Sequence, residues 1–355
     1  MRVGVFVLSA QFPGQGQGEP LHRAVRTAEV AEESGLDAVW LAEHHFVPYG
    51  VCPSAVTLAG LLLGRTRRIG VGTAVSVLPN AHPVALGEQT ALLHLTSGGR
   101  FTLGVGRGGP WVDLEVFGGG LEAYEKGFPE SLDLLLRWLR EPRVGTDGEQ
   151  FTFREVDVVP RADEPVTPVP QLPSAAAGME SGPPVVVACT SAGSVRLAAR
   201  RGLPMLLGMH CGDEEKAEVV ALWRREAQAA GHSAETIEEV AAEHVSAGVA
   251  QIADTTADAR ETLLKAMPGW LRQGLGAHRT VDGRQRAMRD PSAYTELLCD
   301  LHPVGTPQLC ADRLAATSER TGITRFALLG EGSGDLVGTQ RNVQRLGEEV
   351  LPQLG

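Results

Sequence analysis

Three adjacent ionisable side chains, Glu43, His44 and His45, are the residues best suited to acid–base chemistry. A histidine titrates near neutral pH and can therefore donate or accept a proton during a reaction. Burying three neighbouring ionisable groups without partners is costly. We therefore expect them at the end of a strand, where one histidine faces a site and the other supports it. A pair of surface histidines without a catalytic role is the alternative.

A metal site would need more ligands than this triplet offers. Adjacent histidines rarely bind the same ion, and the sequence has neither an HxH nor an HExxH pattern. His210, Cys211 and Asp213 follow another predicted strand and could add ligands, but their spacing matches no familiar metal signature. We predict no metal site, and a metal-dependent hydrolase remains an alternative.

Two further segments have the composition of a phosphate site. Residues 104–109 are rich in glycine, which lets the backbone approach a ligand, and they include Arg107, whose guanidinium can grip a phosphate. Thr190, Ser191 and Ser194 supply hydroxyl groups at the start of a predicted helix, where free N–H groups attract anions. The alternatives are a flexible loop with a surface arginine and an ordinary helix cap. Because the two segments follow neighbouring strands, we predict that they share one phosphate.

The elements that position these residues alternate between short apolar strands and amphipathic helices. The predicted strands cover residues 3–8, 38–41, 68–78, 100–105, 184–188, 204–209, 244–252 and 324–329. The predicted helices cover residues 21–34, 54–63, 84–95, 131–139, 194–201, 214–230, 257–274, 307–321 and 338–351. Apolar strands that alternate with helices are typical of a parallel sheet covered by helices.

The fold class predicted from this order is α/β, as a closed (β/α)8 TIM barrel with its active site at the carboxyl ends of the strands. An open doubly wound sheet is the alternative. After strand 4 we expect an excursion made of a hairpin at 150–159 and a segment at 160–184 that contains seven prolines. Before strand 8 we expect an irregular insertion at 279–301. Since the strand–helix pattern resumes after each excursion, residues 1–355 are predicted to form one domain.

The composition restricts the partners and the location. The net charge is −11, so the chain lacks the basic surface typical of proteins that bind nucleic acid or anionic lipid. The five cysteines are odd in number and widely spaced, which argues against a disulfide framework. No apolar run is long enough to span a membrane. We therefore expect a cytoplasmic protein with no nucleic acid or membrane partner.

Five motifs, in one order and spacing, resemble those of the bacterial luciferase-like flavin monooxygenases. They are EHHF at 43–46, GTAVSVLP at 72–79 with AHPV at 81–84, GGRF at 98–101, GVGRG at 104–108 and VGTP at 304–307. The resemblance extends over nearly the whole chain. It implies a TIM barrel, usually dimeric as a homodimer or heterodimer, that receives reduced FMN from a separate flavin reductase. The reduced flavin reacts with oxygen to give a C4a-peroxyflavin, which oxidises a small organic substrate.

The resemblance also implies roles for individual residues. His44 resembles the catalytic histidine, and His45 resembles its neighbour with a supporting or flavin-side role. Our hypothesis for Glu43, separate from the resemblance, is that it sets the tautomer of His44. The positions implied for the cofactor are Ala74 and Val75 at the isoalloxazine, often joined by a non-prolyl cis peptide; Gly106, where luciferase itself has a reactive cysteine; Arg107, Thr190, Ser191 and Ser194 at the phosphate; and Met209 in the wall of the flavin pocket.

Other functions remain open within this resemblance. One is a deazaflavin-dependent oxidoreductase on the same barrel, and another is a flavin-binding relative without catalysis. The substrate is not readable from the sequence, and aldehydes, long-chain ketones and aromatic molecules all remain candidates.

Overall fold

A computed structural model describes residues 1–163, 182–284 and 289–354. Within these residues, eight parallel strands form a closed barrel. They are β1 (Arg2–Val7), β2 (Ala38–Leu41), β3 (Gly70–Thr73), β4 (Phe101–Gly106), β5 (Val185–Cys189), β6 (Met205–Leu207), β7 (Val245–Val249) and β8 (Arg325–Leu329). Each strand pairs with the next, and β8 pairs with β1, where Val5 lies opposite Leu328. The predicted (β/α)8 TIM barrel is confirmed.

Helices surround the barrel. The longer ones are α1 (Gly18–Glu33), α2 (Ala55–Arg65), α3 (Pro83–Ser97), α4 (Phe128–Arg140), α5 (Ala192–Arg200), α6 (Asp213–Ala229), α7 (Ala234–Ala241), α8 (Thr256–Gly276), α9 (Pro291–Leu301), α10 (Pro307–Thr321) and α11 (Leu336–Arg345). Short helical turns occupy Leu78–Asn80, Asp113–Val116, Gly120–Glu122, Ala123–Gly127, Leu346–Val350 and Leu351–Gln353. In the described ranges no helix is both long and apolar enough to cross a membrane.

The alternation of side chains along each strand divides the core into two layers. In β1, Val3, Val5 and Val7 pack in the apolar cluster that also contains the buried faces of α1 and α2. Phe6 and the following Leu8 belong to a second cluster, which fills the barrel interior. This division follows from the two-residue period of a strand.

Two predicted strands are interrupted at the barrel rim. The strand predicted at 68–78 ends as β3 at Thr73, and the chain continues through a cis peptide bond between Ala74 and Val75 into the short strand Ser76–Val77 beside β4. The strand predicted at 244–252 ends as β7 at Val249. Beyond it, Gln251–Ile252 pairs with Val304–Gly305 in a separate small sheet. Both strands therefore end earlier than their apolar runs suggest.

The excursions also differ from the predictions. The hairpin pairs Arg143–Asp147 with Thr152–Asp157, so the pattern at 150–159 identified only its second strand. The insertion at 279–301 is not irregular throughout, because it ends in α9, where the carboxylate of Asp290 accepts a hydrogen bond from the N–H of Ala293 at 2.8 Å. Most of the proline-rich segment, residues 164–181, lies outside the described residues. The single domain over 1–355 stays a prediction.

Candidate active site

The triplet Glu43, His44 and His45 follows β2 directly, at the carboxyl end of the barrel. The N–H of His44 donates to the carbonyl of Cys52 at 3.0 Å, which ties the triplet to the loop that returns to α2. Gly50 lies against this turn, and a Cβ there would stand 2.4 Å from the carbonyl oxygen of Leu8 and 2.7 Å from Nδ1 of His44. Only glycine therefore allows the loop to pack this closely on the histidine.

Glu43 contacts His45 and the neighbouring backbone rather than His44. Its carboxylate accepts hydrogen bonds from the N–H of Val77 at 3.1 Å and the N–H of Ala55 at 3.3 Å. Oε1 also lies 3.5 Å from Nε2 of His45. The expectation that Glu43 sets the tautomer of His44 is therefore wrong for this structure, because the carboxylate is held towards the start of α2 and the short strand Ser76–Val77.

His44 is a neutral, half-buried imidazole. Burial lowers its pKa from 6.5 to about 3, and positive charge on the neighbouring His278 and His45 lowers it further. Its Nδ1 has no hydrogen-bond partner among the described residues, although this atom is inaccessible to solvent. Such an orphaned polar atom at a barrel rim is typical of a group that bonds to a ligand. The sequence suggested a pKa near neutrality, which the burial of His44 contradicts.

An aromatic wall supports His44. The ring of Tyr49 stands edge-on to His44 with centroids 5.0 Å apart, and it stacks on Trp270 at 4.9 Å and 7°. Trp270 donates from Nε1 to the Tyr49 carbonyl at 3.0 Å and stacks in turn on Phe12 at 5.5 Å. Sequence reasoning missed this wall, since aromatic residues are only 5% of the chain and these lie far apart along it.

A second aromatic group lies beside His45. The edge of Phe117 contacts His45 with centroids 4.9 Å apart, and Phe46 stacks on Phe117 at 6.2 Å. Phe46 is 61% exposed and has a φ of 63°, a conformation uncommon for a residue other than glycine. The exposed apolar rings next to an ionisable pair indicate a surface that receives a ligand. The EHHF motif drew attention to Phe46, but nothing in the sequence singled out Phe117.

The structure brings Ala74, Val75 and Gly106 together. The peptide bond between Ala74 and Val75 is cis, as the resemblance implied. A Cβ at Gly106 would stand 2.6 Å from Cγ2 of Val75 and 3.3 Å from Cβ of Ala188, so a side chain would not fit without displacement. Ala74 and Val75 pack against the interior cluster, as does Met209 at the end of β6. The predicted flavin-ring residues therefore line apolar, closely packed ends of β3, β4 and β6.

The predicted phosphate residues occupy the ends of β4 and β5, which pair directly. Arg107 is exposed and lies over the ring of Tyr124, 4.2 Å from the centroid, with no acidic partner among the described residues. Ser191 caps α5, and its side chain accepts from the N–H of Ser194 at 3.3 Å. Thr190 is exposed before this cap. A free guanidinium and a helix start on adjacent strands suit an anionic group.

A hydrogen bond between the half-buried Asn80 and the buried Asp113 was not predicted from the sequence. Asn80 donates from Nδ2 to Oδ2 of Asp113 at 2.6 Å, while Oδ1 of each residue lacks a partner in the described part of the chain. Asp113 also raises the pKa of His278, although burial dominates and lowers it. No group of three or more His, Cys, Asp or Glu residues able to hold a metal ion occurs within residues 1–163, 182–284 and 289–354.

Comparison with known proteins identifies relatives of this chain. The family model described as luciferase-like monooxygenase matches residues 1–325. The alkanal monooxygenase alpha chain of Photorhabdus luminescens is 29% identical over the whole of this chain and 98% of that protein.

Solved structures share the fold over the same extent. Monooxygenase RslO1 from Streptomyces bottropensis has a TM-score of 0.82 at 22% identity, and each chain covers 100% of the other. The oxygenating constituent of 3,6-diketocamphane monooxygenase from Pseudomonas putida, in complex with FMN, has a TM-score of 0.74 at 20% identity, with 100% of this chain and 99% of that chain covered. An F420-dependent secondary alcohol dehydrogenase has a TM-score of 0.72 at 16% identity, with the same coverage.

The match to the family model covers most of the chain, from β1 to the start of β8. The alkanal monooxygenase relative extends it to the full length. The chain therefore belongs to the luciferase-like monooxygenase family and is a flavin-dependent monooxygenase, as the sequence motifs predicted.

Proposed function

We propose that the chain is the oxygenating component of a two-component enzyme, which takes reduced FMN from a separate reductase and uses oxygen to oxidise a small organic substrate. The observation that carries this proposal is a pair of inaccessible polar atoms at one rim of the barrel, Nδ1 of His44 and Oγ of Ser76, which have no hydrogen-bond partner among the described residues. Buried polar atoms are normally hydrogen-bonded, so such a group favours a polar ligand that completes the bonds.

The residues at the ends of β3 to β6 suit both the apolar ring system and the anionic phosphate of FMN. The ring system would lie against Ala74, Val75, Gly106 and Met209, where the absence of a side chain at Gly106 leaves the backbone close to Val75. Arg107, Thr190, Ser191 and Ser194 would hold the phosphate. A local positive site is needed because the whole chain carries a charge of −11.

Bound reduced flavin supplies the electrons for the reduction of oxygen and the transfer of one oxygen atom to the substrate. The protein contributes a preorganised, water-poor surface. Because the low pKa keeps His44 neutral, one of its ring nitrogens carries a proton at neutral pH and can donate a hydrogen bond. The stacked Tyr49 and Trp270 hold this ring in place and exclude water behind it.

The substrate and the partners are inferred from the relatives. The names of two relatives, an alkanal monooxygenase and a diketocamphane monooxygenase, support an aldehyde or ketone substrate. "Oxygenating constituent" and "alpha chain" support a separate reductase and a second subunit. A dimer is also supported by Leu61 on α2 and Leu92 on α3, which are 50% and 55% exposed on contacting helices.

A cytoplasmic location is the last part of the proposal. It is supported by the five cysteines, Cys52, Cys189, Cys211, Cys299 and Cys310, all of which are free thiols in the structure. Intact thiols are typical of a reducing compartment.

The cofactor assignment is tested by anaerobic titration of the purified chain with reduced FMN, reduced riboflavin and a reduced deazaflavin. We expect FMN to bind most tightly. The Arg107→Ala variant should lose about 1.5–3 kcal/mol of FMN affinity, the value of a charge-assisted bond, and none of its riboflavin affinity. Equal binding of FMN and riboflavin by the wild type would refute the phosphate site.

The F420-dependent neighbour favours a deazaflavin enzyme as the second candidate. Tight binding of the deazaflavin, with hydride transfer to a ketone and no consumption of oxygen, would establish that function instead. Oxygen consumption that depends on reduced FMN and converts an aldehyde or ketone to a product with one more oxygen atom would exclude it.

A further inference from the structure

A second cavity opens on the same end of the barrel, outside the site described above. It has a volume of about 830 Å³ and lies between the loops after β7 and β8, with α8 along one side. Phe12 lines it and stacks on the buried Trp270, which in turn stacks on Tyr49 beside His44. These aromatic rings separate the cavity from the candidate active site.

One buried polar side chain in this cavity lacks a partner. Gln251 is 7% exposed and lines the cavity, and its Oε1 has no hydrogen bond within the described residues. Oγ of Ser333, also in the lining, is likewise inaccessible and unpartnered. Since an amide presents either its oxygen or its NH₂ after a flip, and a hydroxyl can donate, the two residues together can bind an oxygen-rich ligand.

Two cations in the cavity lining are available to an anionic ligand. Lys265 and Arg341 line it and form no ion pair in the described part of the chain. The three lining carboxylates are already engaged: Asp254 pairs with Arg345 at 2.9 Å, Asp258 accepts from the Thr255 hydroxyl at 2.7 Å, and Asp335 accepts from the N–H of Gly338 at 2.7 Å. The hydrogen bonds to Asp258 and Asp335 do not remove their charge, so the lining has balanced formal charge, with Lys265 and Arg341 as its two cations outside an ion pair among the described residues.

Two helix starts place partial positive charge beside these cations. α8 and α11 both begin at the cavity, each with a capping side chain, and a helix start carries partial positive charge. Asp258 and Asp335 lie in or before these first turns, so the helix starts offset part of their negative charge. Loops after the seventh and eighth strands form phosphate sites in many TIM barrels.

We propose that this cavity is a second ligand site, which binds a small phosphate monoester through Arg341, Lys265, Gln251 and Ser333. The site is distinct from the one assigned to FMN, and it does not depend on the proposed function. Its volume is within the range of pockets that enclose small molecules.

The experiment is calorimetric titration of the full chain with inorganic phosphate and with glycerol 3-phosphate, in a buffer free of both. An Arg107→Ala background removes the anion contact assigned to the flavin site. In that background, Arg341→Gln and Lys265→Gln should each weaken glycerol 3-phosphate binding by about ten-fold or more, the loss expected for a charge-assisted bond.

Arg67→Gln is the matched control, since this exposed arginine precedes β3 at the opposite end of the barrel. It should keep the affinity to within about two-fold, as surface substitutions usually do. Thermal unfolding of every variant checks that the chain is folded. Absence of binding in the Arg107→Ala background, or equal weakening by Arg67→Gln and Arg341→Gln, would overturn the proposal.

Discussion

At the scale of the single residue, His44 is the most direct test of the chemistry. We expect His44→Ala to reduce oxygenated product by about 10²–10⁴-fold, the usual contribution of a positioned acid or base. Binding of reduced FMN should change little, because the ring and phosphate contacts are assigned to other residues. Product yield and flavin affinity are measured on the same preparation, with His22→Ala on the exposed face of α1 as the control. Unchanged yield in His44→Ala would remove this histidine from the reaction.

The sequence does not show those features of the site that depend on contacts between residues far apart along the chain. The triplet at 43–45 can be read as acid–base chemistry because its members are adjacent. Burial lowers the pKa of His44, and the charge of the distant His278 lowers it further. The stack behind His44 joins Tyr49 to Trp270, 221 positions further along the chain. No local pattern encodes such contacts, so the sequence identified the histidine but not its protonation state.

At the scale of elements, one buried ion pair joins the end of β8 to β1 and α1. Glu331 is fully buried, and its carboxylate contacts Nε of Arg23 at 3.2 Å and accepts from the N–H of Leu8 at 2.7 Å and Ser9 at 3.1 Å. Glu331→Gln leaves Arg23 without its counter-charge, so we expect a loss of about 3–5 kcal/mol in the free energy of unfolding. Urea unfolding measures this loss.

The exposed pair of Glu214 and Arg320 offers the comparison. Glu214→Gln removes the same charge from a pair at 2.9 Å on the surface, where the expected cost is about 1 kcal/mol or less. Similar losses in the two variants would contradict the role assigned to Glu331.

The sequence could not indicate the buried pair of Glu331 and Arg23, because these two residues are 308 positions apart. It did indicate most strands and helices, but not α7 or α9. The Asp290–Pro291 start of α9 is a readable signal that the irregular interpretation overlooked.

At the scale of the whole molecule, the barrel could be predicted because strand–helix units repeat along the chain. Strand ends at 73 and 249 were not predictable, since the apolar composition continues past the point where the backbone leaves the barrel. The barrel also buries several histidines far from one another. Burial lowers the pKa of His244 to about 3 and that of His302 to about 4, as it does for His44.

These histidines make the stability of the whole fold depend on pH. Below pH 6.5 the unfolded chain takes up protons that the folded chain refuses until about pH 3 to 4, so the free energy of unfolding falls as the pH falls through this window. Each histidine contributes at most about 1.4 kcal/mol per pH unit to the slope of the free energy of unfolding against pH.

His244→Gln keeps an acceptor for the N–H of Met205 but does not titrate. The slope of its free energy of unfolding between about pH 6 and pH 5 should therefore be smaller than that of the wild type by up to this amount. Urea unfolding at both pH values measures the slopes, and the exposed His22→Gln should match the wild type. Identical slopes for all three proteins would mean that His244 is protonated in the folded barrel, which its burial beside Trp223 opposes.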